Sequence, residues 1–127
     1  MKKLMFSSIV LALFALLLSA CSTPGTPAEE GAKLFAQKTL EDQPGCITCH
    51  SLQPETIIIG QSLNGIASRA GSTVPGLSAE EYIRESILDP NAYLEEGFPI
   101  DTMPPVWGDR LSETQVDELV AFLLTLK

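Results

Sequence analysis

This sequence contains few of the residues that build most catalytic and metal sites, with one histidine and three cysteines among 127 residues. A single histidine excludes any site that depends on two imidazoles, including structural zinc sites with two histidine ligands. Basic residues are also scarce: eight Lys and Arg stand against sixteen Asp and Glu, for a formal net charge of −8. This balance disfavours nucleic acid as a partner, because phosphate binding needs clustered basic side chains.

No apolar run in the sequence reaches the ~20 residues that a transmembrane helix requires. The longest run, from Leu4 to Leu18, is about five residues short of that length. It follows Lys2 and Lys3 and precedes small residues, which is the order of a secretory signal peptide. We therefore predict that residues 1–20 are removed, with an uncleaved membrane anchor as the alternative.

The cysteine at the end of this segment lies in "LSAC", residues 18–21, which resembles the lipobox of bacterial lipoproteins. That resemblance implies cleavage before Cys21, a diacylglycerol on its sulfur and usually acylation of the new amino group. The alternative is a cysteine that follows an ordinary signal by coincidence. Residues 21–30 are rich in Ser, Thr, Pro and Gly, and we interpret them as a lipidated, solvated tether. Two or three acyl chains would hold the protein stably on the extracytoplasmic face of a bacterial membrane.

The mature chain is long enough for one small domain. Removing 20 of the 127 residues leaves 107, and we assign residues 31–127 to a single domain with a modest core. The signal carries two of the eight basic residues and none of the acidic ones, so the net charge becomes −10. An acidic surface suits steering towards a basic protein partner, although plain solubility would explain it equally well.

The other two cysteines and the single histidine occur together in "CITCH", where Cys46, Cys49 and His50 form a CxxCH motif. A structural zinc site needs four ligands, and this motif offers only three. A thioredoxin-like redox pair needs a βαβ unit, and no alternating strand pattern surrounds the motif. The third interpretation is a c-type haem attachment site, with both sulfurs bonded to the porphyrin and His50 ligating the iron. Export from the reducing cytosol fits this chemistry, and a plain disulfide is the remaining alternative.

An electron-carrying haem iron needs a second axial ligand, and one methionine is available. Met1 and Met5 lie in the signal peptide, so Met103 is the only methionine of the mature chain. It lies in "DTMPPVWG", where two prolines fix the backbone directly after it. Met103 is therefore the candidate ligand, with simple core packing as the alternative. His/Met ligation raises the reduction potential relative to His/His ligation.

Periodicity and capping signals predict an all-α domain of four or so short helices wrapped around one covalent haem. Capping boxes are predicted at Ser78 and Ser112, where the third and fourth helices begin. The connections 51–61 and 91–110 are long for so small a domain, and a haem would give them a surface to pack on. The predicted helices cover residues 28–38, 62–70 (closed by Gly71), 78–88 and 112–124.

The mature domain resembles a class I c-type cytochrome from Gly31 to Leu126. "GAKLFAQK" resembles the first helix of that family and "ELVAFLLTL" the last. The resemblance implies that Gly31 and Phe35 lie where these helices cross, facing Leu119 and Phe122. "GQSLNGIASRAG" is similar to the stretch in which the family has a leucine over the haem edge and an arginine near a propionate, here Leu63 and Arg69.

Within that family, "ESILDPNAYLEEGF" and the following "MPP" most resemble haem domains of bacterial respiratory membrane complexes. These include oxidase subunits and the monohaem subunit of alternative complex III. The resemblance implies electron transfer with redox partner proteins, and neither a small-molecule substrate nor nucleic acid as a ligand.

Two features depart from the family pattern. Gln61 stands where the family usually has a proline whose carbonyl accepts the proton of the haem-ligating histidine. A backbone carbonyl can serve without proline, although the loop would be less stiff. The segment 39–45, "TLEDQPG", is an insertion, which we interpret as a surface loop whose Pro44-Gly45 turn leads into the motif.

We expect a one-electron carrier with both axial positions of its iron filled. The first alternative is a peroxidase or gas sensor, which would need an open sixth position and usually a distal acid or base. The second is a lipid-anchored structural subunit whose haem only holds the fold together. The carrier could be a subunit of a quinol-oxidising complex or an independent tethered protein that serves a terminal oxidase.

Overall fold

The computed structural model describes residues 25–127, so the predicted signal peptide and Cys21 lie outside the described residues. The described part is mostly helical, which confirms the all-α prediction, with one two-stranded hairpin. The helices are α1 (Pro27–Phe35), α2 (Cys46–Cys49), α3 (Ile66–Thr73), α4 (Ala79–Leu88), α5 (Trp107–Arg110) and α6 (Glu113–Leu123), and the strands are β1 (Thr39–Leu40) and β2 (Gln43–Pro44).

Capping boxes define where three of the helices begin. Those at Ser78 and Ser112 are confirmed, and each serine accepts a hydrogen bond from the backbone three residues later. A third box, between Thr26 and Glu29, begins α1 with Pro27 as its first residue. The predicted tether therefore extends too far, because its last four residues already belong to α1. Each cap stabilises its helix by about 1 kcal/mol.

The first and last long helices cross at a glycine. A Cβ atom on Gly31 would collide with the backbone carbonyl of Glu118 and with Cβ of Phe122. Phe35 packs against Phe122 with ring centroids 5.4 Å apart and planes tilted by 52°. Phe35 and Leu119 are the largest fully buried side chains among the described residues. The predicted contact between these two helices is thus confirmed.

The extents of two predicted helices differ from the structure, and the first of them ends at Phe35 instead of residue 38. The second predicted helix begins four residues later, at Ile66, because Gly65 before it has a φ of +69° and ends the extended loop there. Gly71 lies inside α3 and does not close it, since α3 continues to Thr73. The short helices α2 and α5 were not predicted, and the first residue of α5, Trp107, is 4% exposed.

The inserted segment 39–45 is a β-hairpin, and its interpretation as a surface loop with a Pro44-Gly45 turn is wrong. Thr39 pairs with Pro44, and the turn lies between the strands at Glu41 and Asp42. Both turn residues have positive φ, 47° and 60°, as a tight two-residue hairpin loop requires. Leu40 is 3% exposed and joins the core, so the insertion is anchored by burial.

Buried side chains from helices α1, α3, α4, α5 and α6 and from β1 form one core. Between residues 25 and 127, no helix has the length and apolar character needed to span a membrane.

Candidate functional site

A cavity with largely apolar walls opens beside this core, and the sequence motifs converge on it. Cys46, Cys49, His50, Leu63 and Met103 all line it, although Met103 is more than fifty residues away from the CxxCH motif in the sequence. Core residues of α4, α5 and α6 form part of the wall. The fold therefore brings together five of the six residues predicted to bind a cofactor.

His50 is fixed by its own helix and by the loop that follows. Its backbone N–H donates to the Cys46 carbonyl at 2.9 Å, closing α2. Its Nδ1 lies 2.9 Å from the carbonyl oxygen of Gln61, so Nδ1–H is the donor and Nε2 carries the lone pair. None of the hydrogen bonds within residues 25–127 engages Nε2. A carbonyl partner for the far ring nitrogen is the arrangement that orients metal-ligating histidines.

Burial keeps this imidazole neutral. The pKa of His50 is lowered mainly because burial disfavours the charged ring, while the hydrogen bond to Gln61 opposes this effect. A neutral ring is the form that binds a metal. The Gln61 carbonyl thus accepts the ring proton although residue 61 is not a proline.

Gly60 packs directly against the His50 ring. A Cβ atom at this position would lie 2.5 Å from Cε1, 2.9 Å from Nδ1 and 3.0 Å from Nε2. Real contacts of this kind are longer, so either the ring or the loop would have to move to admit a larger residue. The ring is therefore held on one side by Gly60 and along its edge by the Gln61 carbonyl.

The two motif cysteines are both free thiols and both partly buried. Burial raises the pKa of the Cys46 thiol to about 11, with a smaller contribution from the nearby Cys49. Reactive CxxC pairs instead have lowered thiol pKa values. No cluster of three or more His, Cys, Asp or Glu side chains that could hold a metal ion occurs in residues 25–127. The raised pKa of the Cys46 thiol disfavours the redox-pair interpretation.

The Met103 loop is held by hydrogen bonds between Asp101 and Asn91, which itself lines the cavity. Asn91 Nδ2 donates to Asp101 Oδ1 at 2.8 Å, and the Asp101 N–H donates to Asn91 Oδ1 at 3.0 Å. Asp101 has a φ of 62°, which turns the chain two residues before Met103. Pro104 follows at once and also lines the cavity. We call this pair of hydrogen bonds the Asn91–Asp101 clamp. The clamp and Pro104 position Met103 at the cavity, although Met103 lies in neither a helix nor a strand.

Arg69 is the predicted site residue that does not line the cavity. Its guanidinium donates to the backbone carbonyls of Ser62 and Asn64, and so it ties α3 to the loop before it. That loop carries Leu63, whose N–H donates to the Ser51 carbonyl at 2.8 Å. The role of Arg69 beside a propionate stays a prediction, and in this structure the residue supports the loop that places Leu63.

Several cavity residues were not predicted from the sequence. Tyr82 on α4 and Tyr93 in the next loop pack edge to face, with ring centroids 6.1 Å apart and planes at 73°. The Tyr82 hydroxyl donates to Glu95 Oε1 at 3.3 Å. Trp107 completes this wall. Tyr82 lies in the helix predicted over residues 78–88, but no local pattern indicated that Tyr82, Glu95 or Trp107 lines a cavity.

An exposed apolar loop borders the cavity next to the motif. The N–H groups of Ile59 and Gly60 both donate to the Cys49 carbonyl, at 3.2 and 2.9 Å. The side chains of Ile57, Ile58 and Ile59 are 65%, 52% and 55% exposed. We call these three residues the isoleucine loop. Three consecutive exposed isoleucines are unusual on a domain that is otherwise rich in acidic residues.

The cavity residues fit a covalently attached haem. Two thiols sit on one turn of helix, the adjacent imidazole is neutral with an unengaged Nε2, a thioether lines the same cavity, and the remaining wall is largely apolar.

A family model described as Cytochrome c matches residues 28–127. The curated proteins contain no match to this chain.

Proposed function

The chain belongs to the cytochrome c family, and from this premise we propose that it is a lipid-anchored monohaem carrier of single electrons in a membrane respiratory or photosynthetic chain. Membership of this family establishes that the protein is a haem-based electron carrier and that its cofactor is covalent haem c. The lipid anchor, the membrane complex and the partner are our own additions. The convergence of His50 and Met103 on one cavity is the observation that carries the proposal.

The residues of the chain have separate roles at this site. When bound, the haem supplies one iron that accepts and releases a single electron. Cys46 and Cys49 would hold it by thioether bonds, and His50 Nε2 and the Met103 sulfur would ligate its iron. The Gln61 carbonyl keeps the ring of His50 in one tautomer and orientation. The apolar wall excludes water, which limits the solvent rearrangement that accompanies a change of charge.

Met103 favours electron transfer over the enzymatic alternative. A peroxidase or a gas sensor needs an open coordination position at the iron, and usually a distal acid or base. The chain has no second histidine, and Met103 lies in a loop that the Asn91–Asp101 clamp fixes in place. We therefore regard the protein as an electron carrier, or as one subunit of a quinol:acceptor oxidoreductase, rather than as an enzyme by itself.

We infer that a redox protein docks at the isoleucine loop. Ile59 lines the cavity itself, and Ile57 pairs with His50 in a backbone bridge. Residues 46–68 contain one charged side chain, Glu55, although the chain as a whole has a charge of −8. An apolar, nearly uncharged area beside the cofactor allows close approach without desolvating ions. Electrons would enter or leave through this edge.

Cys21 is proposed as the site of lipidation. Because Thr26 caps α1, only residues 22–25 separate Cys21 from the folded domain. Four extended residues span at most about 14 Å. A domain held this close to a membrane meets membrane partners at high effective concentration. Intact-mass analysis of the membrane form should find Cys21 at the amino terminus with a diacylglycerol attached. An unlipidated chain that begins at Met1 would instead make the apolar run the anchor.

The short tether favours a stable subunit of a quinol-oxidising complex over an independent carrier that serves a terminal oxidase. The test follows Met103→Ala in native membranes. Quinol-dependent reduction of the downstream acceptor should collapse in this variant while quinol binding persists. If electron flux is unchanged both in this variant and after deletion of the domain, the protein does not take part in the electron-transfer chain. Gentle solubilisation and purification would then distinguish a permanent subunit from a tethered carrier.

A further inference from the structure

Glu95 is the one carboxylate among the described residues that line the haem cavity, and no lysine or arginine is among them. Its side chain is part-buried, whereas the neighbouring Glu96 is exposed and does not line the cavity. A single acidic residue in a largely apolar wall is an exception that helix packing does not explain. Its carboxylate therefore belongs to the wall of the cavity that would hold the cofactor.

The position of Glu95 is set at two points. Its Oε1 accepts a hydrogen bond from the hydroxyl of Tyr82 at 3.3 Å, and its backbone carbonyl accepts one from the Phe98 N–H at 3.1 Å. Tyr82 is 4% exposed and lies on α4, so the donor is itself immobile. Its ring is further fixed edge to face against Tyr93. The carboxylate is therefore held in the wall by a buried hydroxyl.

We propose that Glu95, positioned by Tyr82, lowers the reduction potential of this cytochrome. The oxidised cofactor carries one more positive charge than the reduced one, so a fixed negative charge stabilises the oxidised form. This attraction is stronger beside an apolar cavity than in water, because the effective dielectric constant is lower. Met103 raises the potential through its thioether, and Glu95 opposes that effect from the wall of the cavity. The exposed Glu96 is screened by water and ions and contributes less.

The test is a redox titration of the purified holoprotein and its variants. Glu95→Gln keeps the size of the side chain and removes its charge, and it should raise the midpoint potential. Glu96→Gln removes the same charge one residue away, and it should raise the potential clearly less. Glu95→Asp keeps the charge, so its potential should stay below that of Glu95→Gln. Thermal unfolding and the visible spectrum identify any variant whose fold or ligation has changed.

The variant Tyr82→Phe tests whether the position of the Glu95 carboxylate matters, because it leaves the charge of Glu95 in place. Without the hydroxyl, the carboxylate turns towards solvent, so the potential should rise, and adding Glu95→Gln should then shift it less than in the native background. A shift for Glu95→Gln no larger than that for Glu96→Gln would overturn the role of Glu95. A fall in potential for Tyr82→Phe, or full additivity, would overturn the role of Tyr82.

This inference rests on the haem-binding role of the cavity, and its failure is distinguishable from failure of that role. If the Glu95 variants keep a low-spin spectrum without a shift in potential, Glu95 is not a determinant of the potential and the carrier function stands. If the native protein shows high-spin iron with an open position, the proposed ligation fails first, whatever Glu95 does.

Discussion

Gly60 and His50 are in such close contact that a Cβ atom on the glycine would lie 2.5 Å from Cε1 of the imidazole. The next residue, Gln61, accepts the Nδ1 proton of the same ring at 2.9 Å. Two consecutive backbone units thus fix both the plane and the tautomer of the His50 ring. The ring is held by the carbonyl of Gln61 and by close packing that the absence of a side chain at Gly60 permits. The identity of the Gln61 side chain is secondary.

Gly60→Ala should therefore disturb the ring of His50. The new methyl group must displace either the ring or the loop, and overpacking of this kind costs about 1–3 kcal/mol. We expect a lower yield of holoprotein, a lower unfolding temperature and a changed spectrum. Gly108→Ala is the matched control, because its Cβ would meet nothing closer than 3.5 Å. Equal behaviour of the two variants would mean that Gly60 is not needed for the packing of His50.

Gly31→Ala should destabilise the crossing of α1 and α6. Its Cβ meets the backbone carbonyl of Glu118, which cannot move without shifting α6. The cost of about 1–3 kcal/mol exceeds the gain of roughly 0.5–1 kcal/mol from replacing a helical glycine by alanine. Thermal unfolding of the holoprotein measures the balance. Gly71→Ala in α3, whose nearest neighbour would be 3.4 Å away, should be neutral or stabilising. A stabilised Gly31→Ala variant would contradict the close crossing.

Asn91→Ala should loosen the Met103 loop. It removes both hydrogen bonds to Asp101, and a loss of about 1 kcal/mol in the closed loop corresponds to roughly fivefold tighter binding of an added ligand that competes with Met103. The measurement is a titration of the ferric protein with imidazole. Thr56→Ala, which removes an exposed hydrogen bond to Pro54 on another loop, is the control. If both variants bind imidazole as the native protein does, the clamp does not support Met103.

Ile58→Gln should slow electron transfer to the partner protein without changing the haem site. Ile58 is 52% exposed and does not line the cavity, so the spectrum and the potential should be unaltered. Quinol-dependent reduction of the acceptor in membranes should fall. Leu88→Gln removes a similarly apolar side chain, 38% exposed, at the end of α4, and should leave the rate unchanged. Equal rates in both variants would exclude the isoleucine loop as the docking surface.

The sequence predicts what depends on local chemistry. The CxxCH motif and the serines at positions 78 and 112 are each recognisable within a few residues. The structure begins a helix after each serine, and it places the motif residues and Met103 at one cavity. The crossing of α1 and α6 is non-local and followed only from a resemblance. Physical reasoning on a single sequence would not have paired Gly31 with Glu118.

The rest could not be predicted, because it depends on contacts between distant segments or on backbone conformation. Glu41 and Asp42 adopt positive φ in the hairpin turn, a conformation that glycine or asparagine usually signals, and neither residue is present there. Glu95 lines the cavity, and its hydrogen-bond donor, Tyr82, lies thirteen positions earlier in the sequence. Arg69 had the expected sequence context, yet its guanidinium is engaged by carbonyls of its own loop.

His50 and Met103 are the proposed axial ligands of a single covalent haem, and together they fill both axial positions of its iron. The most direct measurement is the spectrum of the purified ferric protein, native and Met103→Ala, with and without added imidazole. We predict low-spin iron that resists imidazole in the native protein. In the variant we predict high-spin or water-bound iron that takes up imidazole readily and has a lower reduction potential. Native protein that is high-spin, or a variant with an unchanged spectrum and potential, would contradict the account.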